Sequence, residues 1–329
     1  MKDFNPNNVH NPAGGRGYGR KEESETDHGY GSHTYSLINA KDERIWCKFH
    51  FKTLQGIECW LDEHAAEVVG RDRESHQRDL FSSIEKGDFP KWQLLIQVMT
   101  QEQADNFKWN PFDLTKVWPH ADFPLIEVGV LELNRNPENY HAEVEQSAFE
   151  PSALVPGIGA SPDKMLQARL MSYADTHLYR LGANYHHIPV NRPRCPVMNY
   201  IRDGAMATAE NYGGAPNYWP NSRDNTPMPD PQYKDPAWSL GQAIVDRFDS
   251  TVDHDDFTQA GNLYRMFDEG HRDRLADRIA GVLGQARREV QLRQLCHFSR
   301  ADEDYGRRVA DKLGIDVGEF MGHEPQTAT

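Results

Sequence analysis

The chain has 329 residues, 38% hydrophobic and 26% charged, an ordinary balance for a folded protein long enough for a large core or two domains. Its formal net charge is -14 without a basic run, which argues against nucleic-acid binding, because phosphate contact needs clustered Lys and Arg. No apolar run reaches the roughly 18 residues of a membrane span, and the start M-K-D-F-N-P-N-N lacks the apolar core of a signal peptide.

Residues 1–27 are polar and Gly/Asn-rich and hold the charged run R-K-E-E-S-E-T-D, so a disordered leader is expected. From Gly31 the period becomes two. Ile45, Cys47, Phe49 and Phe51 alternate with Trp46, Lys48, His50 and Lys52, predicting a strand with one wet face. H-T-Y-S-L-I-N, joined through A-K-D-E-R, is its hairpin partner. Residues 62–87 predict two short helices broken near Gly70. Trp92, Leu94, Ile96 and Val98 alternate again, and residues 125–133, L-I-E-V-G-V-L-E-L, give a fourth strand. Four antiparallel strands with inserted helices amount to half of a closed barrel.

Residues 134–249 are rich in Pro, Gly and Asn, with one convincing helix. After Asp253 helical spacing returns. Phe257, Ala260, Tyr264 and Phe267 form one stripe, Leu275, Ile279, Val282, Ala286 and Val290 another, and a third helix is expected over 301–313. The four Cys (Cys47, Cys59, Cys195, Cys296) form no C-x-x-C pair, so reduced thiols in a cytoplasmic protein are expected.

The helix inside residues 161–191 carries the most chemistry. Ser161 is the expected cap, Pro162 suits the first helical position, and Asp163 sits where the dipole favours an anion. Arg169 and Tyr173, four apart, share a face. A phenol beside a guanidinium suits anionic ligation of a metal. Holding Tyr ionised at mildly acidic pH takes a shift of roughly four to five units, about 6 kcal/mol. An exposed Arg–anion pair supplies only about 0–1 kcal/mol. A trivalent iron would have to supply most of the shift, with Arg169 adjusting the remainder. The chain holds 13 Tyr, and a helical Tyr is ordinarily core or surface; spacing alone does not separate these readings from ligation.

The segment R-L-M-S-Y-A-D-T-H resembles the proximal haem signature of haem catalases. So do G-S-H-T-Y, K-F-H-F-K-T-L-Q-G, N-P-F-D-L-T-K-V-W-P-H, N-R-N-P-E-N-Y and G-G-A-P-N-Y-W-P-N-S, in that family's order from about Tyr30 to about Asp316. Tyrosine ligation is a known property of the family and enters here through the resemblance. The resemblance implies an α+β fold: the second half of the catalase antiparallel β-barrel over 28–135, an extended wrapping arm carrying the proximal helix over 136–250, and a C-terminal α-helical domain over 251–315, followed by a tail over 316–329. It implies a homotetramer, because the arm of the family crosses neighbouring subunits.

The resemblance implies haem b, with Tyr173 as the iron ligand and Arg169 hydrogen-bonded to its phenolate. Arg180 matches a position that pairs with a haem propionate. His177 matches a position near the proximal face, and a satisfied structural His is an equal reading. Phe149 and Met165 would pack near the haem, although core packing would also explain them. Tyr30, Lys52, Trp118 and His120 match positions that contact an NADPH in many catalases, with Lys52 facing phosphate and the Trp118–His120 corner facing the nicotinamide half. The segment expected to supply the remaining NADPH contacts has no counterpart.

Catalases cleave hydrogen peroxide with a distal His, which moves a proton between the peroxide oxygens, and a distal Asn. No segment here matches the distal Asn region. Val9–His10 is only a faint match to the distal V-H motif, and coincidence explains it better. An N-terminally truncated catalase is therefore expected, dismutating hydrogen peroxide in the response to oxidative stress by descent, and weakly active or inactive alone. The alternative is a non-catalytic remnant or an oligomer-assembly module.

Overall fold

The computed structural model describes residues 28–56, 62–194, 203–207, 214, 216–223, 228–231, 234–237 and 255–320. These fall into two compact units, divided between 238 and 239. The expected leader, the Val9–His10 pair, Cys59, Cys195 and parts of the expected wrapping arm after residue 194 lie outside the described residues. Among the described residues, no helix is long and apolar enough to cross a membrane.

The first unit is built on an antiparallel sheet. Its strands are β1 (Gly29–Tyr30), β2 (Tyr35–Ile38), β3 (Arg44–Thr53), β4 (Lys91–Met99), β5 (Ile126–Glu132) and β6 (Ile158–Gly159). They run in the order β5-β4-β3-β2-β6, with β1 also on β3. All four predicted strands form, and the sheet curls as a half barrel. The β2–β3 hairpin closes as its turn residues dictate. Asn39 Oδ1 accepts from the N–H of Lys41 and Glu43 at 2.9 and 3.0 Å, and Asp42 takes φ 61, a conformation Asp tolerates better than most residues. Between β3 and β4 lie α1 (Asp62–Arg71) and α2 (Ser75–Lys86), with the expected break just after Gly70. A short α3 (Gln101–Asp105) follows β4, closed by a capping box of Thr100 and Gln103.

Alternation in β3 puts Cys47 and Phe49 on one face and Trp46 and Lys48 on the other. Cys47, Tyr35 and Leu166 form one core cluster, and Trp46, Met99, Trp118 and Phe123 form another. Burial pushes the Cys47 thiol up to about 12, so it stays protonated and inert. The expected wet face of β3 is not wet. Lys48 and His50 are only 4% and 8% exposed, because residues 106–123 fold over them. The polar groups latch that cover. Lys48 Nζ donates to Lys116 O at 2.9 Å. Gln97 Nε2 donates to Trp118 O and Phe123 O at 3.0 and 2.6 Å, leaving its Oε1 to meet His50 Nε2 at 2.9 Å. Lys48 Nζ, the Gln97 amide and His50 Nε2 thus find partners in the cover or in their own strand pair, while His50 Nδ1 has no hydrogen-bond partner among the described residues.

Burial pushes the His50 imidazole down from 6.5 to about 4, more than its Gln97 hydrogen bond raises it. The unfolded chain then binds a proton that the folded chain refuses, so this contribution is complete above pH 6.5 and is lost as pH falls toward 4. The loss is about 3 kcal/mol. Denaturant midpoints at the two ends of that window should fall less for His50→Gln than for the parent; equal falls would contradict it.

The second unit contains α5 (Thr258–Met266), α6 (Glu269–Leu283), α7 (Arg288–Ala301), α8 (Glu303–Leu313) and α9 (Val317–Phe320); α4 (Lys164–Leu181) belongs to the first unit. The stripe expected over 275–290 is split. Ala286 lies in the turn between α6 and α7, and Val282 is 74% exposed. Gln291 Nε2 donates to Ala286 O at 2.8 Å and closes that turn. The core is instead made by Ala276, Leu292, Leu295, Cys296, Val309, Ala310, Ile315 and Phe320. Phe320 is buried, so the ordered chain continues beyond the expected end at 315. Arg308 ties α8 to Glu269 at 2.6 Å, and Lys312 ties it to Asp277 at 2.7 Å.

Candidate haem-binding site

The helix α4 (Lys164–Leu181) is rich in Leu, Met, Ala, Gln and Arg, all good helix formers. Its cap is Asp163 rather than the expected Ser161. Asp163 Oδ1 accepts from the N–H of Met165 and Leu166 at 2.9 and 3.1 Å. Ser161 Oγ accepts from the N–H of Asp163 instead. The helix starts there because the carboxylate is fixed from both sides. Its other oxygen meets His33 Nδ1 at 2.7 Å.

His33 comes from the turn before β2. Gly31 seats that turn on β3, where its N–H donates to Phe49 O at 2.8 Å. A Cβ on Gly31 would come 3.0 Å from that oxygen, so the approach needs glycine. Thr34 fixes the other side by donating to Pro111 O at 2.7 Å.

From His33 the chain of contacts runs to the phenol. Arg169 Nη1 donates to His33 Nε2, and Arg169 Nη2 meets Tyr173 Oη at 2.8 Å. A guanidinium can only donate, so His33 carries its proton on Nδ1, toward Asp163. Burial raises the Asp163 carboxyl, but the His33 bond and the helix N–H groups outweigh it and hold the group below its usual range. An ionised carboxylate thus anchors a neutral imidazole, which orients a cation at the phenol oxygen. Leu166, Leu170, Tyr173 and His177, spaced four, three and four, form the inward stripe of α4. Leu166 is fully buried in the sheet core, Leu170 packs against it, and Tyr173 is half-buried.

Sequence reasoning found Arg169 and Tyr173 but missed His33 and Asp163 as their support. Both lie in or beside segments that carry the resemblance, yet they stand 130 residues apart, and no local spacing rule connects them.

The remaining candidates divide. His177 is buried, with Nε2 on Phe149 O at 2.8 Å, which favours the structural reading, while its ring lies 6.2 Å from that of Tyr173. Phe149 and Met165 are 37% and 55% exposed, so core packing does not explain them. Arg180 lies at the end of α4. Its guanidinium donates to the carbonyl oxygens of Glu145 and Ser147 at 2.7 and 2.9 Å, because the loop before β6 passes beneath the helix end. Lys52 Nζ lies 3.3 Å from Tyr30 Oη, and the His50 ring stands between those of Tyr30 and His120 at 5.8 and 6.1 Å. Tyr30, Lys52 and His120 are therefore brought together. Trp118 is not with them. Its indole is 1% exposed, inside the core under Lys48.

The donor set fits a ferric porphyrin. A half-buried phenol is oriented by a cation at its oxygen, and exposed apolar side chains stand on the same helix and the adjoining loop.

The family profile described as Catalase matches residues 13–225, and that described as Catalase-related immune-responsive matches 250–313. A catalase of the Onchocerca volvulus endobacterium is 52% identical over 290 residues, covering 88% of this chain and 60% of that protein. A catalase of Aliivibrio fischeri is 52% identical over 293 residues, covering 89% and 60%. The solved structure of a bacterial catalase superposes with TM-score 0.80 at 41% identity, over 89% of this chain and 60% of that one. Catalase A from Saccharomyces cerevisiae gives 0.77 at 39% identity, over 88% and 60%. The chain thus spans about 60% of the length of the curated relatives it matches. With profile, relatives, fold and the tyrosine–arginine pair in agreement, the chain belongs to the catalase family.

Proposed function

We propose that the chain binds haem b through Tyr173 and acts in hydrogen peroxide dismutation to water and oxygen. The observation that carries this is the chain Asp163–His33–Arg169–Tyr173, with 2.7 Å at one end and 2.8 Å at the other. When bound, haem would supply the ferric iron at which peroxide is turned over.

The residues of this chain have separate tasks. Tyr173 presents its oxygen as an anionic donor. Arg169 neutralises and aims that oxygen, and the planar fork of its guanidinium lets it hold His33 at the same time. His33 and Asp163 keep Arg169 from turning away. Phe149 and Met165 supply apolar contact beside the ligand. The proposal extends to assembly as a homotetramer acting in the cytoplasm, and to a dinucleotide at Tyr30, Lys52 and His120, where His28 and His50 complete the ring cluster.

Ferric haem titrated into the full chain should give a saturable Soret shift, and oxygen release from peroxide by the loaded chain alone should be weak. Absence of saturable binding would overturn the proposal. Binding without oxygen release would retain the haem site and remove dismutation by this chain.

A further inference from the structure

Six consecutive residues, 145–150, are each fastened by a side chain that follows them in sequence. Arg180 holds the carbonyl oxygens of Glu145 and Ser147. Asn191 Nδ2 donates to Gln146 O at 2.9 Å and to Tyr185 O at 3.0 Å, while its Oδ1 accepts from the N–H of Ala148 at 2.7 Å. His177 holds Phe149 O. The Tyr185 hydroxyl donates to Glu150 Oε2 at 2.8 Å. Burial, followed by the Glu150 carboxylate, pushes the Tyr185 phenol well above its usual range, so it remains a donor.

Such fastening is unusual for a loop, which ordinarily runs over the surface and moves. Here Ala148 and Glu150 are each 5% exposed, while the ring of Phe149 between them is 37% exposed. The clamp buries the backbone and presents one aromatic ring. It also meets the ligand helix directly, because His177 contacts both Tyr173 and Arg180. Arg180 can only donate, so His177 accepts on Nδ1 and donates from Nε2 to Phe149 O.

We infer that Asn191, together with Arg180, is a positioning residue that fixes residues 145–150 so that Phe149 forms a preset wall of the Tyr173 site. This rests on the haem-binding reading. Its cost and benefit are conformational. A loop released from the clamp is competent for only part of the time, and apparent affinity falls by that fraction. Competence about a tenth of the time weakens binding about tenfold.

The test uses the full chain with ferric haem as probe. Asn191→Ala should speed hydrogen exchange at the Ala148 amide roughly 100-fold, since its acceptor is gone, with exchange in β3 and β4 unchanged. Haem Kd should weaken about tenfold, with the spectrum of the bound form unaltered. Phe149→Ala removes only the ring and leaves every clamped backbone atom, so it should reproduce the affinity loss without the exchange change. It also keeps the test valid if Asn191→Ala fails to fold. Unchanged exchange at Ala148 in folded Asn191→Ala, or an unweakened Kd in Phe149→Ala, would overturn the inference. Tyr173→Phe separates the two levels. If it leaves haem affinity and spectrum unaltered, the haem reading itself fails. If it abolishes them while Phe149→Ala has no effect, only the positioning inference fails.

Discussion

Tyr173→Phe is expected to weaken ferric haem binding by at least ~100-fold, more than the ~10–100-fold typical of losing an outer-shell partner. The variant loses a single hydroxyl. Its ring keeps the inward stripe of α4, so far-UV circular dichroism should match the parent. Arg169→Ala is expected to cost about tenfold, because the cation tunes an anion that the iron already stabilises. An equilibrium titration of the three proteins checks the order. Tyr173→Phe binding as tightly as the parent would remove the ligand assignment.

Asp163→Ala is expected to destabilise the first unit by about 4 kcal/mol, judged from urea midpoints. About 1 kcal/mol comes from the lost helix cap. About 3 kcal/mol comes from leaving His33 and Arg169 without the buried carboxylate that anchors them. Asp163 is only 2% exposed, so water does not replace it. Asp163→Asn keeps the shape and a capping oxygen and should lose less, about 1–2 kcal/mol. The sign of the pH dependence follows from the lowered carboxyl. Its contribution is present above the usual value of 3.8 and disappears as pH falls through the lower folded value. The deficit of Asp163→Ala should therefore shrink below pH 3.8. A deficit that is constant with pH would assign the whole effect to packing.

Period-two alternation identified β3 and β4, because each side of the sheet writes its own pattern into the strand. It could not say what covers each side. Lys48 and His50 read as a wet face because the groups that satisfy them, Lys116 O in the cover and Gln97 Oε1 on β4, lie 68 and 47 residues away. The arginine–tyrosine pair was legible because both side chains lie on one helix, four residues apart. His33 and Asp163 were not, because their contact depends on the sheet being folded. In the helical unit the apolar spacing of residues 275–290 runs through a turn, and periodicity alone does not register that break. Phe320 looked like part of a tail because no stripe leads to it; it is buried by the α7–α9 contact.

Resonance Raman spectroscopy of the ferric-haem-loaded chain, prepared with natural and with ring-deuterated tyrosine, tests the central claim most directly. Tyr173 ligation predicts iron-bound phenolate modes that shift on deuteration and vanish in Tyr173→Phe. A loaded chain with no phenolate modes, or with modes that survive in Tyr173→Phe, would contradict it.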